Sequence, residues 1–211
     1  MLRDAKHSSS EQFNPRLVLA VVGLVALAII GFLIAVMVIT ADESRRGAGG
    51  EDGVLGGNFL LESNYGDVAL SDYRGNVVVL YFGFMSCPEV CPTSMSMIGR
   101  TLENLNDEEL EKVQPILVSI DPARDSPYEL SKFVKHFHPK IIGVTGTTEE
   151  VDALARNYGA FFSAVETRDP DDYVFDHTSR YFVINKQGEL VDAMRHSTTA
   201  NELTARIRTL L

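Results

Sequence analysis

The chain has 211 residues, with 19 Lys and Arg against 29 Asp and Glu, and a formal net charge of −10. Nucleic-acid binding needs a basic surface that neutralises phosphates, so this charge balance argues against a nucleic-acid partner. The chain contains only two cysteines, and they are four positions apart. This spacing suggests a functional site rather than a structural disulfide bond.

An uncharged apolar run extends from Leu17 to Ile39. As a helix it would be about 34 Å long, enough to cross the ~30 Å hydrocarbon layer of a membrane. A cleaved signal peptide has a shorter apolar region of about 7–15 residues, so the run predicts an uncleaved transmembrane anchor. Three basic residues precede the run and two follow it, which favours residues 1–16 in the cytoplasm and the C-terminal domain outside.

The absence of an Arg-rich, acid-poor transit sequence before the anchor favours a bacterial plasma membrane over a mitochondrion. A glycine-rich segment over residues 40–57 follows the anchor and predicts a flexible linker. The remaining residues 58–211, roughly 150 in number, suit one domain.

From residue 58 onward, short apolar runs alternate with helical patterns. Strands are predicted at 58–62, directly after the turn at 64–67, and at 77–84, 115–120, 141–145, 180–185 and 189–195; helices are predicted at 93–106, 126–136, 147–157 and after a capping box at 199–202. This order predicts an α/β domain with a mixed sheet and flanking helices. A cysteine pair that follows a central strand and opens a helix is typical of the thioredoxin-like fold.

The two cysteines, Cys87 and Cys91, lie in the run Y-F-G-F-M-S-C-P-E-V-C-P-T-S. Proline is not tolerated inside a helix, so Pro92 predicts that the pair forms a loop or first turn and that the helix starts at Pro92. Both sulfur atoms should then lie near a helix N-terminus, where the helix dipole lowers the thiol pKa and favours the thiolate.

Three residues separate the cysteines, one more than in a C-x-x-C oxidoreductase. Soft thiolates select Cu(I), zinc or iron–sulfur clusters. A structural zinc site needs four protein ligands, and an iron–sulfur cluster normally needs four cysteines. Two sulfurs and one imidazole suit three-coordinate Cu(I) better, although a plain redox dithiol stays open.

A third ligand should come from one of five histidines. His177 lies directly before the predicted strand at 180–185, in a loop that a thioredoxin-like fold places beside the cysteine loop. His7 falls on the other side of the predicted anchor, and the remaining histidines fit surface positions. Geometry alone leaves the role of His177 open. The sequence also leaves open thioether ligation by methionine, although this residue is more often core filler. The methionines near the cysteines are Met85, Met95 and Met97.

The cysteine run, S-I-D-P-A-R-D-S-P and V-F-D-H-T-S-R-Y-F-V-I-N together resemble the Sco/SenC family of copper-binding assembly proteins. The resemblance covers about residues 58–211. It implies one copper ion bound by Cys87, Cys91 and His177, and a role in assembling the dinuclear copper centre of cytochrome c oxidase subunit II. Other copper chaperones or thioredoxin-like reductants are further expected partners. One departure is Met85-Ser86, where family members often have Thr-His.

The D-P-A-R-D-S-P segment does not indicate a single role for its residues. Asp125 is predicted to cap the helix entered by Pro127, and Asp121 to face the site or cap a turn. The resemblance also permits an oxidase-docking or supporting role for Asp121 or Arg124.

Three functions remain as hypotheses: a copper chaperone, a thiol–disulfide reductase that keeps copper-site cysteines of an oxidase subunit reduced, and a copper or redox sensor. The first two can share one dithiol, because copper binding needs it reduced and electron donation oxidises it to a disulfide. The sequence favours a metallochaperone over an enzyme, while thiol–disulfide activity stays open.

Overall fold

The computed structural model describes Leu24 and residues 27–35, 55–166 and 173–211. The chain divides into two units, Met1–Glu43 and Ser44–Leu211. In the first unit, Leu24 and residues 27–35 are helical with exposed side chains. Among the described residues, no helix combines the length and the apolar character needed to cross a membrane.

The other residues of the predicted anchor, the predicted cytoplasmic residues 1–16 and most of the predicted linker lie outside the described residues. The last part of the predicted linker, residues 55–57, is hydrogen-bonded to other residues of the second unit. The N–H of Gly56 donates to the carbonyl of Asn157 over 2.7 Å, and the hydroxyl of Tyr158 donates to the carbonyl of Gly57 over 2.9 Å.

The second unit is built on a mixed sheet. Its strands, in the residues described, are β1 (Leu60–Ser63), β2 (Gly66–Ala69), β3 (Val77–Gly83), β4 (Val113–Ser119), β5 (Ile142–Thr145), β8 (Arg180–Ile184) and β9 (Leu190–Arg195). The order across the sheet is β2–β1–β5–β4–β3–β8–β9. The strands β3, β4 and β5 are parallel, and the outer strands pair antiparallel. The predicted mixed α/β sheet is therefore confirmed.

Five α-helices accompany this sheet in the described part of the second unit: α1 (Val90–Glu103), α2 (Asp107–Glu111), α3 (Pro127–Lys135), α4 (Thr148–Asn157) and α5 (Ala200–Arg208). The predicted capping boxes are confirmed. The side chains of Thr147 and Thr199 accept hydrogen bonds from the N–H groups of Glu150 and Glu202, which satisfies backbone donors that have no intrahelical partner.

The core lies around the two central strands. Every residue of β3 and of β4 is buried, as the continuous apolar run over residues 77–84 predicted. Parallel strands covered by helices on both faces have no solvent-facing side, so neither strand alternates between apolar and polar residues. The cysteine loop begins at the carboxyl end of β3, one of these two buried strands.

Two features of the structure were not predicted: the short helix α2 and a separate hairpin formed by β6 (Phe162–Glu166) and β7 (Tyr173–His177). In the described residues, β6 and β7 pair only with each other and do not join the seven-stranded sheet. The predicted loop position of His177 is therefore wrong, because this residue ends β7. Residues 167–172, between the two strands, lie outside the described residues.

Candidate metal centre

The cysteine loop connects the end of β3 to α1. Gly83 is the last residue of β3, and α1 begins at Val90, so Cys87 lies in the loop and Cys91 in the first helical turn. The prediction that the helix starts at Pro92 is wrong by two residues. Proline is accepted here because the first-turn N–H groups of a helix have no intrahelical acceptor, so its missing N–H costs little.

The two sulfur atoms lie within 4.8 Å of each other at this turn. The N–H of Cys91 donates to Sγ of Cys87 over 3.3 Å, and both residues are free thiols. Cys87 is 8% exposed, whereas Cys91 is completely buried. The pair therefore has one sulfur near the surface and one sulfur below it.

Gly83 makes room for the buried sulfur. A Cβ atom built on Gly83 would lie 2.9 Å from Sγ of Cys91 and 3.0 Å from a ring carbon of Tyr81. Any larger residue would push against the sulfur, so the close approach of α1 to β3 depends on this glycine. This role of Gly83 was not predicted, although a glycine inside an otherwise apolar strand is a signal for close backbone approach.

His177 completes the cluster from the other side. Its Nε2 lies 3.7 Å from Sγ of Cys91, and its Nδ1 lies 3.3 Å from the carbonyl oxygen of Thr178. A carbonyl oxygen only accepts hydrogen bonds, so Nδ1 carries the proton and the lone pair of Nε2 faces the sulfurs. The imidazole ring packs edge-on against the rings of Tyr81 and Phe84.

The three side chains meet as a possible metal site. One ligand atom each from Cys87, Cys91 and His177 lies within 4.8 Å of the others, and no other group of three or more His, Cys, Asp or Glu residues does so in the described part of the chain. Thiolate and imidazole ligands lie about 2.3 and 2.0 Å from a zinc-sized metal ion, which separates trigonal ligand atoms by about 3.7–4.0 Å. The observed spacing between Cys91 and His177 fits such a site.

Burial shifts the pKa of both Cys91 and His177. It raises the pKa of the Cys91 thiol above its ordinary value, because a thiolate is poorly solvated there. The predicted lowering by the helix dipole is therefore wrong for Cys91. Burial also lowers the pKa of His177, so its imidazole is neutral at pH 7, the form that binds metals. A metal ion that binds Cys91 must displace the thiol proton.

An open cavity of about 390 Å³ gives access to the cluster. Cys87 and His177 line this cavity, together with Phe84, Pro88, Glu89, Val90, Val174, Phe175, Asp176 and Ser179. A second depression of about 340 Å³ lies on another side of His177 and includes Phe161, which is 70% exposed. A metal ion or a partner thiol can therefore reach Cys87 and His177 directly.

The other residues considered as ligands have structural contacts. Met95 is completely buried in the core, and Sδ of Met97 accepts a hydrogen bond from the Thr101 hydroxyl. Nδ1 of His138 accepts from the N–H of Lys140. These positions agree with the ordinary use of methionine as core filler.

The D-P-A-R-D-S-P segment differs from its prediction at the helix cap. Ser126, not Asp125, is the N-cap of α3, and its side chain accepts from the N–H of Glu129. Asp125 is completely buried, and its Oδ2 accepts from the N–H of Met85 and the hydroxyl of Ser119. This tertiary contact outcompetes the local cap, because a buried carboxylate needs nearby donors.

The fold and the cluster together define a thioredoxin-like α/β domain with a candidate two-cysteine, one-histidine metal site. A family model described as SCO1/SenC matches residues 48–211. The chain belongs to the SCO1/SenC family, which confirms the resemblance seen in the sequence.

Curated relatives include the SCO2-like protein of Rickettsia felis, 38% identical over 142 residues that cover 66% of this chain and 69% of the relative. Protein sco1 of Schizosaccharomyces pombe is 32% identical over 156 residues, which cover 72% of this chain. The chain spans only 59% of the length of that relative.

Two solved structures are close in fold. Apo Sco1 of Thermus thermophilus has a TM-score of 0.69 and 36% identity, and the match covers 76% of this chain and 94% of that one. ScoI of Bradyrhizobium japonicum with copper bound also has a TM-score of 0.69, with 30% identity and coverage of 75% and 100%. Copper-bound Sco structures are therefore neighbours of this chain, and Cys87, Cys91 and His177 could form a metal site.

Proposed function

We propose that this protein is a membrane-anchored copper chaperone that binds one copper ion through Cys87, Cys91 and His177. The observation that carries this proposal is the meeting of two thiols and one imidazole within 4.8 Å, with Cys87 and His177 lining an open cavity. Two sulfurs and a neutral imidazole suit Cu(I), which favours soft ligands. The copper-bound structure of the Bradyrhizobium japonicum relative supports the same choice of metal.

The copper would be cargo for another protein. Family membership supports a role in assembling the dinuclear copper centre of cytochrome c oxidase subunit II. The uncharged run at 17–39 would anchor the chain in a bacterial plasma membrane, with the domain on the extracytoplasmic side. Cys87 and His177 are accessible from the cavity, so the ligands of a partner protein would replace them one at a time as copper is transferred.

Copper binding is tested on the purified full-length chain. The reduced protein should bind one copper ion, and Cys87→Ser, Cys91→Ser and His177→Ala should each weaken binding strongly. X-ray absorption of the copper form should show about two sulfur ligands and at least one nitrogen ligand. His138→Ala is the matched control, because His138 lies outside the cluster. Unchanged affinity in His177→Ala would remove this residue from the site.

A thiol–disulfide reductase is the second candidate. The hydrogen bond from the N–H of Cys91 to Sγ of Cys87 favours it, because it holds an accessible thiol beside a buried one. In this reaction the two thiols would become a disulfide while a partner's disulfide becomes two thiols, with transfer of two electrons and two protons.

A deletion strain separates the two functions. Loss of the protein should lower oxidase activity under copper limitation without lowering synthesis of the oxidase subunits. Added copper should rescue a delivery defect by mass action, whereas added thiol reductant should rescue a reduction defect better than copper does. Normal oxidase activity in the copper-limited deletion strain would refute the chaperone function and favour a redox or sensing role.

A further inference from the structure

The two halves of the candidate metal site belong to different parts of the fold. Cys87 and Cys91 follow the central strand β3, whereas His177 ends a hairpin whose strands pair only with each other in the described residues. A metal site needs its ligands in place to within about 0.2 Å. Some contact must therefore fix the hairpin relative to the cysteine loop.

The turn at 121–125 lies between these halves. It follows β4, whose last residue, Ser119, pairs with Gly83 of β3, and the N–H of Ile120 donates to the carbonyl of Gly83 over 2.9 Å. The turn is closed by hydrogen bonds from the N–H groups of Arg124 and Asp125 to the carbonyl of Asp121. It therefore starts beside the point where the cysteine loop leaves the sheet.

One side of this turn holds the cysteine loop. The Asp125 carboxylate is completely buried, and its Oδ2 accepts from the N–H of Met85 over 3.0 Å and from the hydroxyl of Ser119 over 2.7 Å. Met85 is two residues before Cys87. Since a buried carboxyl group is costly without hydrogen bonds, these contacts fix the start of the loop against β4.

The other side of the turn holds the hairpin. The carboxylate of Asp121, which is 1% exposed, accepts from the Tyr173 hydroxyl over 2.8 Å and forms an ion pair with Nε of Arg124. Nη1 of Arg124 donates to the backbone carbonyl of Tyr173 over 3.0 Å, and its guanidinium carbon lies 3.8 Å from the centre of the Tyr173 ring. Tyr173 thus has its backbone, ring and hydroxyl all engaged by one turn.

Tyr173 and His177 are the first and last residues of the same strand, β7. We propose that Asp121, Arg124 and Tyr173 are positioning residues that hold His177 over the two cysteines, with Asp125 holding the cysteine loop from the same turn. This inference rests on the proposed copper site. The ring of Phe84 also packs against Phe175 of the same strand, with ring centres 5.4 Å apart.

The test uses two mild substitutions in the full-length chain. Arg124→Lys keeps the charge beside Asp121 but loses the planar group that reaches both Asp121 and Tyr173. Tyr173→Phe removes only the hydroxyl bonded to Asp121. Arg156→Lys and Tyr128→Phe are matched controls, because Arg156 pairs with Asp152 at the surface and Tyr128 is 58% exposed.

The readout is Cu(I) affinity, measured by competition with a chromogenic chelator, in the wild type and in a His177→Ala background. Loss of a group that orients a metal ligand typically lowers affinity about 10–100-fold, and the double variant Arg124→Lys, Tyr173→Phe should fall in this range. In the His177→Ala background the same double variant should have little further effect. X-ray absorption of the double variant should show a weakened nitrogen contribution with both sulfurs retained.

A general loss of structure would lower affinity equally in both backgrounds, and that result would overturn the positioning role. If the wild type binds copper and the double variant binds it with the same affinity, the positioning role is refuted as well. The proposed function is not affected by that result. A wild-type chain that binds no copper would instead refute the proposed function, and this inference with it. Each control should match the wild type in affinity.

Discussion

Gly83→Ala tests whether the buried sulfur depends on the missing side chain at the end of β3. The new Cβ would lie 2.9 Å from Sγ of Cys91, 3.0 Å from a ring carbon of Tyr81 and 3.3 Å from Cδ1 of Leu117. Ordinary contacts between such atoms are about 3.5–4.0 Å long, so the sulfur and the Tyr81 ring must move by about 0.5–1 Å. All three neighbours are completely buried, so they lie in a close-packed interior.

This displacement has two consequences of different size. Overpacking of a close-packed core costs about 1–3 kcal/mol of unfolding free energy, which corresponds to a fall of about 2–4 °C in Tm per kcal/mol for a chain of this size. The displacement of the sulfur is also several times the ~0.2 Å tolerance of a metal ligand. We therefore expect copper affinity to fall about tenfold or more, well beyond the effect of lower stability on a protein that stays folded.

Gly143→Ala is the matched control for the overpacking. Its Cβ would lie 3.0 Å from Cβ of Leu130 and 3.2 Å from the carbonyl oxygen of that residue, a similar clash between β5 and α3. Both variants are compared by thermal unfolding and by chelator competition for Cu(I). Equal copper affinity in the two variants would refute the reasoning, because Gly83→Ala should weaken binding and Gly143→Ala should not.

Three further results are expected. Iodoacetamide should modify Cys87 before Cys91, because Cys87 lines the cavity while burial raises the pKa of the Cys91 thiol. Mass spectrometry of the partly modified chain measures the order, and equal rates of modification would contradict this expectation. Oxidation to a Cys87–Cys91 disulfide should abolish copper binding, since a disulfide has no thiolate to donate, and metal analysis before and after reduction measures this. Alkaline phosphatase fused after Leu211 should be active if residues 17–39 anchor the domain outside the cytoplasm; activity of a cytoplasmic reporter at the same point would reverse this orientation.

The elements with strong local signals were predictable from the sequence. The apolar run at 77–84 predicted β3, because it is short and rich in β-branched and aromatic residues, as in a strand buried on both faces. Thr147 with Glu150 and Thr199 with Glu202 predicted two helix starts through reciprocal hydrogen bonds made within one turn. In each case the deciding interactions lie close together in sequence or come from the composition of one segment.

The missed elements had weaker signals. In the hairpin, neither F-S-A-V-E nor Y-V-F-D-H alternates strictly between apolar and polar residues, and both runs are short and largely outside the core. The sequence N-D-E-E at Asn106 contains the capping box that begins α2, with Glu109 as its second member. This capping box is a local sequence signal for the start of α2.

The errors within the site have one physical cause, which is that tertiary contacts override local preferences. Asp125 stands one residue before a good cap, Ser126, and no local pattern indicates that its carboxylate is bonded to Met85. The dipole at the start of α1 would favour a thiolate, but the burial of Cys91 between the helix and β3 has the larger and opposite effect on its pKa. Burial at this depth is a property of the packed fold.

The candidate site thus combines two cysteines that are close in sequence with a histidine that is distant in sequence. The cysteines are four residues apart, so the loop and first turn of α1 bring their sulfurs together without the rest of the fold. His177 is 86 residues beyond Cys91 and reaches it only when the hairpin lies against the sheet. An unfolded chain keeps the two sulfurs near each other but lacks the imidazole, so a three-ligand ion binds the native state more tightly and stabilises it. The contacts of Arg124 and Tyr173 therefore link the geometry of the metal site to the docking of the hairpin.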